Sequence, residues 1–167
     1  MKLHLKGNIK TIKVSKSFAW DLNYNLSAII ASSLKKFKEV RGRCGVPGFL
    51  TYEGKNYSID TYEDSEIVDH KQMEKIFNSM LDNMIFAFAE ESNGNARSPS
   101  LMPYKENKKL NCKDYPYMTE KQFKAYSELL KSPSSIFEDF HIYEKMYYDY
   151  RKKGKMYFAE NFSNLWD

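Results

Sequence analysis

The stretch from Asp69 to Glu91, DHKQMEKIFNSMLDNMIFAFAEE, limits what this chain can fold into more than any other. Met73, Ile76, Phe77, Met80, Leu81, Met84, Ile85 and Phe88 recur at steps of three and four, the spacing of a wide apolar helical stripe. No Pro or Gly interrupts it, and Asp69 stands where an N-cap would stand. The first half carries charge, whereas the second half is nearly apolar all round. A helix of that kind must be covered on more than one side, so the other elements are expected to pack around it.

A second helix is predicted from Ser17 to Val40, with Ser17 or Asp21 able to cap its start. Leu22, Leu26, Ile29, Ile30, Ser33, Phe37 and Val40 are expected along its inner face. Ala28, Ala31, Ser32 and Ser33 would let a neighbour approach closely. Its basic end complements the helix dipole, and Gly42, Gly45, Pro47 and Gly48 then stop it. Thr119 to Lys131 reads as a short helix with a Thr119/Gln122 capping box and an apolar face of Phe123, Tyr126, Leu129 and Leu130. A last helix is predicted from Ser135, with Ile136, Phe140, Tyr143, Tyr147 and Tyr150 in register and the line continuing to Gly154, Phe158, Phe162 and Leu165. Gly154 on that line implies either a tight crossing or a break between two helices.

Strand signals are weaker. Lys2 to Lys16 alternates around Gly7-Asn8 and reads as a hairpin with lysines outward, and Phe49 to Tyr62 reads as a second hairpin around Gly54-Lys55. Ser92 to Pro116 is rich in Ser, Asn and Pro and shows no period, so it is expected to be a lid, a partner-binding segment or an insertion without function. The fold class expected is α+β and predominantly helical, with three to four packed helices and one or two small peripheral β-hairpins. A length of 167 residues suits a single domain, 1–167, with 92–116 a long loop or insertion.

The chemistry available is limited. Neither GxxxxGK[ST], GxGxxG nor GxSxG occurs. His4, His70 and His141 share no ligand spacing, and Cys44 and Cys112 have no His nearby, so neither a metal nor a cofactor is expected. The N-terminus shows no signal-peptide core and no run approaches membrane-spanning length, so an intracellular chain without membrane contact is expected. Twenty-six basic and 22 acidic residues give a formal charge of +4, too mild for a protein that coats nucleic acid. Glu90 and Glu91 form the one carboxylate pair beside a strongly apolar surface. A solvated helix end is the plain reading, and a partly buried Glu90 with a raised pKa would be the functional one.

Binding is better supported than catalysis. Aromatic residues make up 16% of the chain, with Tyr 13 and Phe 11, and any one Tyr is first of all a packing residue. Yet tyrosines beside cations (Tyr52, Tyr57, Tyr104, Tyr115, Tyr117, Tyr147, Tyr148 and Tyr150, with Arg151, Lys152 and Lys153) combine stacking surface with phosphate-pairing charge, which suits a small nucleotide. The same composition also follows from an AT-rich genome. Lys35, Lys38, Arg41 and Arg43 are the phosphate candidates, with Tyr104, Tyr147 and Arg151 completing the expected site.

Three separated pieces resemble a family of uncharacterised bacteriophage proteins. Trp20-Asp21-Leu22 with Leu26 and Leu34-Lys35-Lys36-Phe37-Lys38-Glu39 is similar to the family's Trp-Asp start and Lys-x-Phe-Lys-Glu helix end. Leu81 to Phe88 followed by Glu90 is similar to its LDKMIxAFE, and Tyr157 to Asp167 to its C-terminal LFAKYFxxLWD. This chain has Ser32-Ser33 where the family often has Pro-Arg, and Phe77 where it often has Trp. Phe49 to Glu63 and Ser92 to Pro116 match nothing in it. The resemblance implies a phage gene expressed in the host bacterial cytoplasm and brings no established activity with it. Small phage proteins without enzyme motifs frequently counter host defence, which is an association and not a physical deduction.

The expected function is therefore that of a non-enzymatic accessory protein sequestering a nucleotide-type immune signal. The alternatives are an inhibitor docking on a host defence enzyme through Ser92 to Pro116, and a small nuclease or phosphodiesterase using carboxylates such as Glu90. Edge hairpins and surplus aromatics need cover, so a homo-oligomer is also expected. Trp20, Asp21, Trp166 and Asp167 are expected as clasps around the central helix, with Phe37, Met84, Phe88 and Phe162 as structural motif residues.

Overall fold

A computed structural model of the chain describes residues 15–41, 45–99, 110–131 and 140–165. The expected hairpin over Lys2 to Lys16, the expected start of the last helix at Ser135, and Arg43, Cys44, Tyr104, Trp166 and Asp167 lie outside them, except that Lys16 belongs to a helix. The elements in order are α1 (Lys16–Trp20), α2 (Leu22–Val40), β1 (Phe49–Tyr52), β2 (Lys55–Ser58), β3 (Glu66–Ile67), α3 (His70–Ser92), α4 (Glu120–Leu129) and α5 (His141–Glu160). Short 3-10 turns cover Cys112–Asp114 and Ser163–Leu165. The chain is predominantly helical α+β, as its periodicities imply.

α3 is the central helix. Asp69 accepts from the Gln72 backbone N–H at 2.7 Å while the Gln72 side chain accepts from Asp69 N, a complete capping box. Met73, Phe77, Met80, Leu81 and Met84 are buried along one line. From Phe86 to Glu90 every residue is buried, so the apolar second half is enclosed as its composition requires. Two clusters share this helix. One joins it to α2, the sheet and the end of α5 around Leu50, Phe77, Met84 and Leu165. The other packs Phe86 with Tyr115, Tyr117, Tyr126, Phe140 and Tyr147, drawn from α4, α5 and the segment before α4.

α2 runs antiparallel to α3, with Asn23 bonded to Glu91 at one end and Arg41 to Asn78 at the other. The helix read as continuous from Ser17 is broken at Asp21. The Asn25 side-chain amide donates to Phe18 O at 3.1 Å, taking a carbonyl out of the helical ladder, and Asp21 leaves the helical region at φ −101°, ψ 32°. Ser15, not Ser17, caps α1. The buried face of α2 also differs from expectation. Ser27, Ala31 and Leu34 are buried with Ile30 and Phe37 beside them, whereas Leu22, Leu26 and Val40 are 44–46% exposed. Small inward residues let α2 sit close to α3, and the stripe of larger aliphatics points outward.

The hairpin β1–β2 forms as predicted, one residue earlier at its turn. Glu53 and Gly54 both have positive φ, +52° and +74°, the conformation of a tight two-residue hairpin turn that favours Gly. β3 adds to β2 in parallel, giving the order β1-β2-β3. Asn161, just past α5, mimics a strand against β1: its amide donates to Thr51 O and accepts from Thr51 N, both at 3.0 Å. α5 is continuous through Gly154, which meets α3 so closely that a Cβ there would lie 2.5 Å from Asn83 O and 2.7 Å from Ala87 Cβ. Gly154 therefore marks a tight crossing and not a break.

α4 carries the Thr119/Gln122 capping box and buries Tyr126. Of the expected loop, residues 93–99 and 110–116 pack against the helices: Ser98 and Tyr115 are buried, and the Tyr115 ring packs on Tyr126 of α4. Residues 100–109 lie outside the described residues. Trp20 does not clasp the central helix. It is 88% exposed, because the break at Asp21 turns α1 away from α3. Asp21 is exposed beside it, while Phe37 stacks edge-on to Phe77 at 6.2 Å and Phe88 to Phe158 at 5.0 Å. Phe162 is half-exposed against Phe158. Among the described residues, no helix is long and apolar enough to cross a membrane.

Candidate functional site

Polar groups converge at the C-terminal end of α3, where it meets the middle of α5. Glu90 and Glu91 are adjacent in sequence and point to different faces of α3, which makes the site two-tiered. The inner tier is Glu90, which is fully buried and so is not the solvated helix end its position suggests. Gly94 and Asn95, both at positive φ, reverse the chain there, and the turn returns Arg97 over the carboxylate. The Arg97 backbone N–H donates to Glu90 Oε2 at 2.8 Å, Tyr147 Oη donates to the same oxygen at 2.9 Å, and Arg97 Nε lies 3.4 Å from Oε1. Tyr117 Oη donates to Arg97 O at 2.9 Å, and Ser98 Oγ donates to Glu144 at 2.7 Å. Burial and the adjacent Glu90 carboxylate push the Tyr147 phenol up, so it stays a donor. Glu90 thereby holds the turn from Glu90 to Pro99 and is enclosed among the described residues.

The outer tier is Glu91 with two cations and an amide. Its carboxylate accepts from Arg151, from Lys155 Nζ at 2.7 Å and from the Asn23 amide. Burial acts to raise the Glu91 pKa. The Lys155 and Asn23 hydrogen bonds and the charges of Lys155 and Arg151 together outweigh it, so the carboxyl lies below its ordinary value. Arg151 also donates to Asn95 Oδ1, and its guanidinium lies 5.4 Å from the Tyr147 ring and 5.9 Å from that of Tyr148. In front of these groups is an open cleft of about 470 Å³ lined by Glu91, Asn95, Tyr148, Arg151, Lys152 and Lys155. Arg151, Lys152 and Lys155 against Glu91 give that lining a formal charge of +2. Tyr148 is 49% exposed and presents an aromatic face beside the cations.

The sequence-predicted site residues do not all meet here. Arg151 lines the cleft. Tyr147 is fully buried beneath it and belongs to the aromatic core, so it offers no face to a ligand. Arg41 is buried in the α2–α3 seam, 5% exposed, bonded to Asn78 and stacked 4.7 Å over Phe77. Burial lowers its pKa despite Glu74 and Asp82. Lys38 pairs with Asp82, and Lys35 is exposed. The partners of Arg41 and Arg151 on α3, Asn78 and Glu91, are separated by roughly 20 Å of helix at 1.5 Å per residue, so the α2 cations and the α5 cations are separate groups. Arg43 and Tyr104 lie outside the described residues.

Lys155 was not singled out by sequence, although a signal for it exists. Tyr148, Arg151, Lys152 and Lys155 follow i, i+3, i+4, i+7 and so share one helix face. Glu91 had no such signal, because nothing local says that α5 will bring cations to it. A second, smaller cleft of about 300 Å³ lies at the α1–α2 elbow between Ser15, Phe18, Asp21, Asn25, Ala28 and Ile29, and Asp21 is its one charged group. Among the described residues no group of three or more His, Cys, Asp or Glu is placed to hold a metal ion. The sequence matches no known protein family and no curated protein, and no solved structure matches the fold.

Proposed function

We propose that this is a non-enzymatic phage accessory protein that counters host defence by holding a small nucleotide signal in the cleft between α3 and α5. The observation that carries the reading is the lining itself: an open, doubly positive cleft with a half-exposed tyrosine ring beside its cations. A phosphate-bearing ligand gains charge-assisted hydrogen bonds there, and a base has a ring on which to stack. The volume is within the range of small-molecule sites. The other supports are the three phage-like sequence pieces, and the enclosure of Glu90, the strongest acid–base candidate, among the described residues. Self-association in the host cytoplasm belongs to the same reading, since the chain exposes several large apolar side chains.

Titration calorimetry against cyclic mononucleotides, cyclic dinucleotides and ADP-ribose derivatives tests this. At least one is expected to bind and to be recovered chemically unchanged. Lys152→Glu, at an exposed position, is expected to abolish the heat while leaving the melting temperature of the unliganded protein within a few degrees, as surface substitutions do. Absence of heat and of thermal shift across the panel overturns the proposal, and turnover of the bound nucleotide overturns its non-enzymatic part.

A further inference from the structure

The large apolar side chains that remain exposed are not evenly spread. Trp20, Leu22, Tyr24, Leu26 and Val40, between 44% and 88% exposed, all belong to α1 and α2. Along α2 the outward line is Leu22, Leu26, Ile29, Ser33, Lys36 and Val40, alternating steps of four and three, which is the spacing of a seam between two helices. It lies beside the face made by Ser27, Ala31 and Leu34, which α2 already uses against α3. The other exposed apolar residues, such as Tyr62, Ile67, Ile142 and Met156, form no comparable line. A seam-spaced stripe calls for a helix as its occupant. Among the described residues, α2 itself is the surface element that offers the matching stripe.

Charge fixes the direction. The start of the α1–α2 face carries Asp21, which has no ion-pair partner among the described residues, and the end of α2 carries Lys35 and Lys36, the latter in an exposed 3.0 Å pair with Glu39, so that end stays net positive. Parallel pairing would set like charges side by side, whereas antiparallel pairing sets opposite ones together. We infer that two copies of this chain associate through α2 in an antiparallel, two-fold arrangement with its axis between Leu26 and Ile29. In that register Leu26 of each copy faces Ile29 of the other, Leu22 faces Ser33, and Asp21 comes within a turn of Lys36. Ser32 flanks the axis and presents no bulk, while Ala28 and Ile29 border the α1–α2 elbow cleft on the other side of it. The arrangement is isologous, so it closes as a dimer and leaves no open end. This deepens the self-association proposed above and is independent of the ligand, because the cleft lies on α3 and α5.

Sedimentation velocity of the full chain over a range of concentrations reads the outcome. The wild type is expected as a dimer. Leu22→Glu with Leu26→Glu, both at half-exposed positions, is expected to weaken association by about tenfold or more, with circular dichroism and melting unchanged. Asp21→Lys alone is expected to weaken it by a few-fold, the range of an exposed ion pair, and Asp21→Lys with Lys36→Asp to restore it. A wild-type monomer at all concentrations overturns self-association altogether. A wild-type dimer indifferent to the Leu22 and Leu26 changes overturns this interface and leaves the self-association reading standing. Loss through the leucines without charge-swap rescue overturns the antiparallel register.

Discussion

At the scale of single residues, Gly154 is the position where the packing tolerates least. Alanine is the better helix former by about 1 kcal/mol, so on propensity alone Gly154→Ala should stabilise α5. The added Cβ would sit 2.5 Å from the Asn83 carbonyl oxygen, a backbone atom that cannot swing aside, and 2.7 Å from Ala87 Cβ. Relief requires α5 to move off α3, which loosens Tyr147, Tyr157 and the Asn161 link to β1 together. The clash is expected to win, with a net loss of about 1–3 kcal/mol in urea denaturation and no change in the denaturant slope. A variant more stable than the parent would show that α5 does not approach α3 this closely. The glycine was visible in sequence as an anomaly on an apolar line. Its partner was not, because Asn83 is polar and only the fold reveals that its backbone forms the other half of the crossing. Glu90 shows the same limit. Sequence placed it beside apolar residues, but the Arg97 and Tyr147 donors that make its burial tolerable come from 7 and 57 residues away.

At the scale of elements, the features read correctly were those with local chemistry. The Asp69 N-cap and the Thr119/Gln122 box each satisfy backbone donors within one turn, so a few residues suffice to find them, and the structure completes the first into a box with Gln72. Asp69→Ala is expected to cost about 1 kcal/mol, with Thr119→Ala similar, each measured as a lowered denaturation midpoint. An unchanged midpoint for Asp69→Ala would show that tertiary packing alone fixes the start of α3. The face of α2 was misread for a definite reason. Two adjacent lines of the same period run along it, and the line with the larger side chains is the outer one. Periodicity detects a line but does not say which of two neighbours is buried, and size favoured the wrong one. The cleft was half-legible for a related reason: the α5 face carrying Tyr148, Arg151 and Lys152 is local, whereas Glu91, Asn95 and Asn23 join it through tertiary structure.

For the whole molecule, the unusual quantity is the number of tyrosines inside it. Burial pushes the phenols of Tyr115, Tyr150 and Tyr157 up to about 12 from an ordinary value near 10, and those of Tyr117, Tyr126 and Tyr147 also rise. A phenol ionises by losing a proton to become an anion, so a raised folded-state value means that the folded chain keeps protons the unfolded chain has already released. Between the two values the unfolded state binds fewer protons, and stability falls as pH rises. The contribution is intact below pH 10 and is lost progressively above it, with several groups acting together. Alkaline unfolding is therefore expected to be steep and cooperative. In ultraviolet difference absorbance the buried set should ionise in a single step that coincides with loss of helical circular dichroism. The second aromatic cluster draws on α3, α4 and α5 and on the described parts of the 92–116 segment, so ionising it must undo their packing as a unit. Ionisation of this buried set near pH 10 with the helical signal intact would mean that the cluster is open to solvent and that its interlocking does not hold the helices together.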